Sequence, residues 1–295
     1  YIKDVKCTLR FNYKVSLNLP THLIKTDLKS NEYLLDLHSH TTVSDGYLSP
    51  SQRIDWYISQ GINGAVISDH NSTMGAQLAT DYVQKNKINF KVLFGQEYTA
   101  SNLHLNIIGL KESISPKQYS GFFKDINEKD LQSLILNVKN KGGVVFVNHY
   151  NGKVDFLKEK LIKSGIDGFE ISNGQASIAE VNIREFCIIN YLSCIGGSDI
   201  HLNYELNRFI KVKLKTDTFN YRSVFSNLKD VEHEVIRVDL YPEKIKFKKY
   251  ISSDLGRSII LPISNFLNYL LNLNNLQLLS WWIWSFGVVW IVRRI

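Results

Sequence analysis

The chain has 295 residues, 44% of them hydrophobic and 21% charged, with a formal net charge of +7. This balance excludes a disordered or collagen-like chain and is long enough for one large domain with additions, or for two domains. Three cysteines, Cys7, Cys187 and Cys194, are too few and too unevenly spaced for a disulfide framework or a zinc knuckle.

Residues 7–19, "CTLRFNYKVSLNL", are apolar at every odd position, the period of a half-buried strand, and Pro20 closes it. Because the chain begins at Tyr1, a signal peptide is neither read nor excluded. Residues 1–30 are thus a strand and a linker. From Tyr33 to about Leu214, short apolar runs at 33–38, 64–68, 91–95, 104–110, 143–148, 167–171 and 193–197 predict strands. Between several of them, Pro50–Gln60, Gly75–Lys85, Asn127–Lys141, Val154–Lys163 and Ala176–Asn190 predict helices. Such alternation predicts an α/β domain at 31–215, built on a mostly parallel sheet or a (β/α) barrel. Cys187 and Cys194 lie in apolar surroundings within it and read as buried thiols.

Further strands are predicted at 209–215, 234–242 and 244–251, and residues 216–256 form a β/α extension. Basic strings such as "KIKFKK" (244–249) are not interleaved with aromatics, so solvated lysine faces are favoured over a nucleic-acid tract. A weak attraction to anionic substrates or anionic lipid stays open. The tail at 257–295 differs from the rest. From Ser258 to Val292 there is no Asp, Glu, Lys, Arg or His across 35 residues, and "LQLLSWWIWSFGVVWIV" (276–292) runs directly into Arg293 and Arg294. Tryptophans and an arginine stop favour membrane contact over a buried helical hairpin, with a span at the short limit. A spanning tail would leave the main domain outside the cytoplasm; a soluble cytoplasmic form is the alternative.

The acids and histidines cluster at strand ends. "LLDLHSH" ends in His38 and His40, "AVISDH" in Asp69 and His70, "VLFGQE" in Glu97, "VVFVNH" in His149, and "IGGSDIH" in Asp199 and His201. In a (β/α) barrel the C-terminal strand ends share one mouth, so five strands would deliver metal-binding residue types to one place. His38 and His40, like Asp199 and His201, are two apart and share a strand face. Six of the eight histidines fall in or beside these motifs; His22 and His233 do not. A metal site explains the conjunction better than separate strand caps and core histidines do.

This motif series, "DLHSHTTVSDG", "SDHN", "GQEYT", "NHY" and "GGSDIH" in order over residues 33 to about 215, resembles the PHP (polymerase and histidinol phosphatase) superfamily of metal-dependent phosphoesterases. "LHLNIIG" (103–109) and "FEISNG" (169–174) are similar to its CehA/McbA-like branch. The resemblance implies a distorted (β/α)7 barrel of the TIM-like kind holding two or three divalent ions. Carried over by position, it implies that His38, His40 and Asp199 bind a first metal, with Glu97 bridging to a second held by His149 and His104. Asp45, His70 and His201 would hold a third. Some relatives have a histidine where Asn106 stands, and many have a proline where this chain has Tyr150.

Three carboxylates and six histidines without a cysteine suit Zn, Mn or Fe better than Mg. The expected chemistry is hydrolysis of a small phosphomonoester or phosphodiester by a metal-bridging hydroxide at a di- or trinuclear centre. Asp69, His70 and His201 are the candidates for proton transfer, and Asp69 serves equally well as a strand-end cap. Arg208 and Lys153 are candidate phosphate contacts, with ordinary surface positions as the simpler expectation. Asp36 shares the face of His38 and His40 by period two and is expected to support an imidazole. Carbamate, ester or amide hydrolysis by the same centre, or a non-catalytic membrane-tethered module, are the alternatives. Nuclease action is not favoured, and nothing in the sequence sets substrate identity or oligomeric state.

Overall fold

The computed structural model describes residues 28–121, 124–150, 155–173, 180–201, 206, 208–214, 219–230, 233–237 and 275–294. The strand expected at 7–19, the strand at 244–251, Cys7, His22 and Lys153 lie outside the described residues. Two units are distinguished. One comprises Thr21–His201 with Leu206–Val238, and the other is described only through a helix near the C-terminus.

The first unit contains strands β1 (Glu32–Asp36), β2 (Gly64–Ile67), β3 (Lys91–Thr99), β4 (His104–Ile108), β5 (Val144–Val147), β6 (Gly168–Asn173), β7 (Ser193–Gly197), β8 (Arg208–Lys213) and β9 (His233–Arg237). Its helices are α1 (Pro50–Ser59), α2 (Met74–Lys85), α3 (Glu128–Asn140), α4 (Asp155–Lys163), α5 (Glu180–Ile189) and α6 (Tyr221–Lys229). Local chemistry starts several of them. Ser49 caps α1 in a reciprocal pair with Gln52 ahead of Pro50, and Asn127 caps α3.

The strands form one sheet in the order β7-β6-β5-β4-β3-β2-β1-β8-β9. It approaches closure where the segments that follow β1 and β7 meet. There the His40 amide donates to the Ile200 carbonyl at 3.1 Å, and the Asp199 amide donates to the His38 carbonyl at 2.8 Å. The result is a nearly closed, barrel-like mixed sheet. The expected strand–helix repeat and mostly parallel pairing hold only in part. β1–β2–β3 and β5–β6–β7 are parallel, but β4 is antiparallel to both its neighbours, as is β8 to β1 and β9. For β3 and β4 the physical reason is chain length. Residues 100–103 connect β3 to β4, and a parallel crossover needs about a dozen or more.

Side-chain alternation divides the core between the two faces of the sheet. Val144 and Phe146 join Leu35, Leu37, Val66, Leu93, Ile195 and Ile210 in one cluster, covered by Val224 and Leu228 of α6. Val145 and Val147 join Leu134 and Val138 of α3 and Cys187 of α5 in the other. Cys187 and Cys194 are buried free thiols, in line with expectation.

In the second unit, helix α7 (Asn275–Val292) has 18 residues. At 1.5 Å per residue these residues extend about 27 Å. Among the described residues no helix is long and apolar enough to cross a membrane. The membrane contact expected from composition thus has no spanning helix among the described residues to support it.

Candidate metal centre

The β3–β4 hairpin sets the first part of the site. Its register places Glu97 opposite Asn106 and Thr99 opposite His104, so all four share one face by strand alternation. Asn106 is buried and donates to the Leu37 carbonyl at 2.7 Å, holding the chain just before His38. His104, two residues earlier, instead meets the Glu97 carboxylate.

Glu97 is the hub. Its Oε1 lies 2.9 Å from His149 Nε2 and 3.0 Å from His104 Nδ1. Its Oε2 lies 3.2 Å from His40 Nε2, 3.3 Å from His70 Nδ1 and 3.4 Å from His38 Nε2. Asp199 Oδ1 is 3.1 Å from His40 Nε2 and 3.4 Å from His38 Nε2. At the mouth, Asp45 is 3.2 Å from His201 Nε2, 3.4 Å from His70 Nε2 and 3.5 Å from His40 Nδ1. Every residue expected as a ligand is thus drawn into one cluster. Among the described residues three groups could hold an ion: His38, His40, Glu97 and Asp199; His40, Asp45, His70 and His201; and His70, Glu97 and His104.

Surrounding residues aim these donors. The His201 ring donates from Nδ1 to the Asp199 carbonyl at 2.9 Å, which leaves Nε2 toward Asp45. Thr99 Oγ1 lies 2.6 Å from His70 Nδ1. His149 and Asp199 both have positive φ, 26° and 53°. For non-glycine residues that is strained backbone of the kind concentrated at functional sites. Arg53, fully buried in α1, donates to the carbonyls of His40 at 3.2 Å and Ile200 at 3.3 Å, fastening the two converging segments.

The remaining residues singled out from sequence take the following places. Asp36 touches no imidazole. Its carboxylate accepts from the amides of His38 and Ser198 at 3.2 and 2.9 Å, from Tyr57 Oη at 2.6 Å, and from Ser198 Oγ. It holds the backbone beneath the histidines, because β1 ends at Asp36 and strict alternation with it. Asp69 likewise turns away from the imidazoles: it accepts from the Thr41 amide and hydroxyl, each at 2.7 Å, and from Ser44 Oγ at 2.7 Å. This is the strand-end anchor of the two roles expected for it. Tyr150 packs edge-to-face on Phe169 with centroids 5.6 Å apart, an ordinary core position. Arg208 is buried at the start of β8, not on the surface. Two residues given no role from sequence stand in the site. Asn148 donates to Glu97 Oε1 at 3.0 Å and approaches His38 Nε2 at 3.3 Å, and Glu170 Oε1 is 3.1 Å from His38 Nδ1. A polar side chain inside an otherwise apolar run was the available signal for Glu170, between Phe169 and Ile171.

Electrostatics test whether divalent ions fit. Burial lowers the imidazoles of His38 and His40, but carboxylates outweigh it. Asp199, Glu170 and Glu97 raise His38 well above its ordinary value, and Asp199 and Glu97 raise His40 to about 9. Burial raises Glu97, Asp45 and Asp199, yet the facing histidines hold all three low, Asp199 at about 2. Protons therefore gather between the nitrogens and the carboxylates, where a cation would replace them. Buried Asn148 Oδ1 has no hydrogen-bond partner beside this cluster. Nitrogen and oxygen donors without thiolate fit Zn, Mn or Fe.

A pH dependence follows. His40, raised from 6.5 to about 9, contributes stability that is complete below pH 6.5 and is lost as pH rises through 9. Asp199, lowered from 3.8 to about 2, contributes above pH 3.8 and loses this as pH falls through 2. Metal-free protein is expected to melt at lower temperature at pH 9 than at pH 6.5. Divalent-ion affinity is expected to rise over the same window, by about tenfold per pH unit for each proton displaced. Melting curves and chelator competition at both pH values check this; a metal-free melting temperature that climbs with pH contradicts it.

No family model matches the chain. A two-domain protein from Bacteroides vulgatus, containing a predicted PHP-like metal-dependent phosphoesterase, superposes with a TM-score of 0.57 at 20% identity, over 75% of this chain and 69% of that one. The chain has a PHP-like fold. The comparisons do not separate the CehA/McbA-like branch from the rest of that superfamily. Two curated relatives match part of the PHP-like chain. The 5'-3' exoribonuclease Rnm of Salmonella typhimurium is 26% identical over 98 residues, 32% of this chain and 33% of its own length. That of Escherichia coli is 29% identical over 84 residues, 28% of this chain and 29% of its own. The matched stretch spans about a third of the length of these relatives.

Proposed function

We propose that the chain is a metal-dependent phosphoesterase acting on a small phosphomonoester or phosphodiester at a di- or trinuclear centre. The observation that carries this is the sharing of donors. His40, Glu97 and His70 each belong to two of the three groups, so every pair of groups has a residue in common. Ions held there would be neighbours, able to polarise one phosphoryl group and to make water acidic enough to attack it near neutral pH.

The residues divide the work by depth. His38, His40 and Glu97 are sealed from solvent, whereas Asp45 is half exposed and His70, His104, His149 and His201 are partly exposed. Substrate therefore reaches the centre from this rim. There the His70 and His201 imidazoles, whose Nε2 atoms face Asp45, are placed to hold or pass a proton. The hydroxyls beside the site are engaged, Thr41 and Ser44 with Asp69, Ser198 with Asp36 and Thr99 with His70. Water is thus the nucleophile that the arrangement favours. The names of the curated relatives support a second reading, exonucleolytic cleavage of RNA, which is the same phosphodiester chemistry on a longer substrate.

Protein loaded in turn with Zn, Mn and Fe, and assayed for metal content, tests the proposal on 4-nitrophenyl phosphate, bis(4-nitrophenyl) phosphate, an oligoribonucleotide, a carboxyl ester and a carbamate. Turnover of phosphate esters that is abolished by chelator and restored by metal is the expected result. Turnover confined to the carboxyl ester or carbamate overturns it, and degradation confined to the oligoribonucleotide selects the second reading.

A further inference from the structure

Glu170 lies in β6 between Phe169 and Ile171, which both face the apolar cluster under α3 and α5. Alternation turns Glu170 to the opposite face. An irregularity in the β6–β7 register, between Glu170 and Ser172, occurs at the same place. Such bulges commonly re-aim a side chain next to a site. Gly197 on the neighbouring strand makes room: a Cβ there would fall 2.6 Å from Glu170 Oε1 and 2.5 Å from His38 Cβ.

The Glu170 side chain is fully buried, and both oxygens are committed to groups that carry the metal donors. Oε1 lies 3.1 Å from His38 Nδ1. Oε2 accepts from the amide of His149, whose φ is strained, at 2.9 Å, and from Asn173 Nδ2 at 2.8 Å. The same Asn173 nitrogen lies 3.4 Å from Asp199 Oδ2. His38 is thereby divided. Nδ1 faces Glu170, while Nε2 faces His40, Glu97 and Asp199. Glu170 belongs to none of the three donor groups.

We propose that Glu170 is a positioning residue: it fixes the proton of His38 on Nδ1, so that the Nε2 lone pair is presented to an ion. It also pins the strained backbone from which His149 reaches Glu97. One buried carboxylate thus sets two donors from different strands, and it raises the basicity of the His38 imidazole. The proposal rests on the metal-binding reading of the site. Glutamine at this position is a sharp probe, because a carboxamide has one acceptor oxygen where the carboxylate has two. It cannot accept from both the His38 ring and the His149 amide, and its NH2 must face one of these donors.

The test compares wild type, Glu170→Gln and Glu170→Ala for Zn affinity by chelator competition, and for the histidine tautomer by 15N–1H correlation spectra of Zn-loaded protein. The expected result is about tenfold weaker Zn binding for Glu170→Gln and about a hundredfold for Glu170→Ala. Both variants lose the Nδ1–H signal of His38, assigned through a His38→Gln control. If Glu170→Ala does not fold, the near-isosteric Glu170→Gln carries the test. Wild-type Zn affinity with an unchanged His38 signal in the variants overturns the proposal, even if their melting temperatures fall. Failure of the underlying metal reading is distinct, since wild-type protein itself would then bind no Zn.

Discussion

Glu97→Gln is expected to empty most of the centre and to lower kcat/KM on a phosphate ester by about a thousandfold or more, about 4 kcal/mol of transition-state stabilisation. The carboxylate meets five imidazoles with its two oxygens and belongs to two of the three donor groups. A carboxamide keeps the shape but removes the charge and one acceptor, so it cannot bridge two ions as an anion can. The nitrogens that surround it would then lose the partner that draws positive charge into the site. Metal analysis after gentle dialysis, paired with steady-state kinetics, checks both halves. Retention of a full complement of ions with near-wild-type turnover would remove Glu97 from the role of hub. The group at Asp45, His70 and His201 excludes Glu97, so an ion there is expected to persist longest.

The second large effect is on stability. Asp36→Ala is expected to cost about 3 kcal/mol or more, because it strips the acceptor from two hydroxyls and two amides in a fully buried place. Burial pushes the Asp36 carboxyl up, only partly offset by Ser198 and Tyr57, so this carboxylate is held in an environment that cannot solvate the donors in its place. The loss sits where the segments after β1 and β7 converge, so metal affinity should fall together with stability. Urea denaturation of metal-free protein, followed by tryptophan fluorescence, gives the number. A change below about 1 kcal/mol would mean that Tyr57 and Ser198 find other partners, and that the clamp is not structural.

The ligand types were legible because the signal was local. His38, His40, Glu97, His149 and Asp199 each stand at the end of an apolar run, and a strand end is visible in one dimension. Asp36, Asp69 and Glu170 were not legible in the same way. Each is an acid in or beside an apolar run, yet the side chains and amides that decide its role include ones 21 to 162 residues away: Tyr57 and Ser198 for Asp36, Thr41 and Ser44 for Asp69, His38 and His149 for Glu170. Period two assigned Asp36 to the imidazoles because it assumes an unbroken strand, and β1 ends at that residue. The antiparallel entry of β4 was hidden for a related reason, since the apolar run at 104–110 reads the same in either direction.

By itself the sequence determined most of the strand and helix succession, the α/β class and the donor types of the site. These follow from side-chain period and from residue chemistry, which neighbours in the chain carry between them. Only the tertiary structure decided which oxygen meets which nitrogen, which acids face the histidines, and which ones hold the backbone beneath them. Hydrogen bonds need donor and acceptor within a narrow range of distance and angle, and such geometry is set when remote segments pack together, not when the residues are written in order.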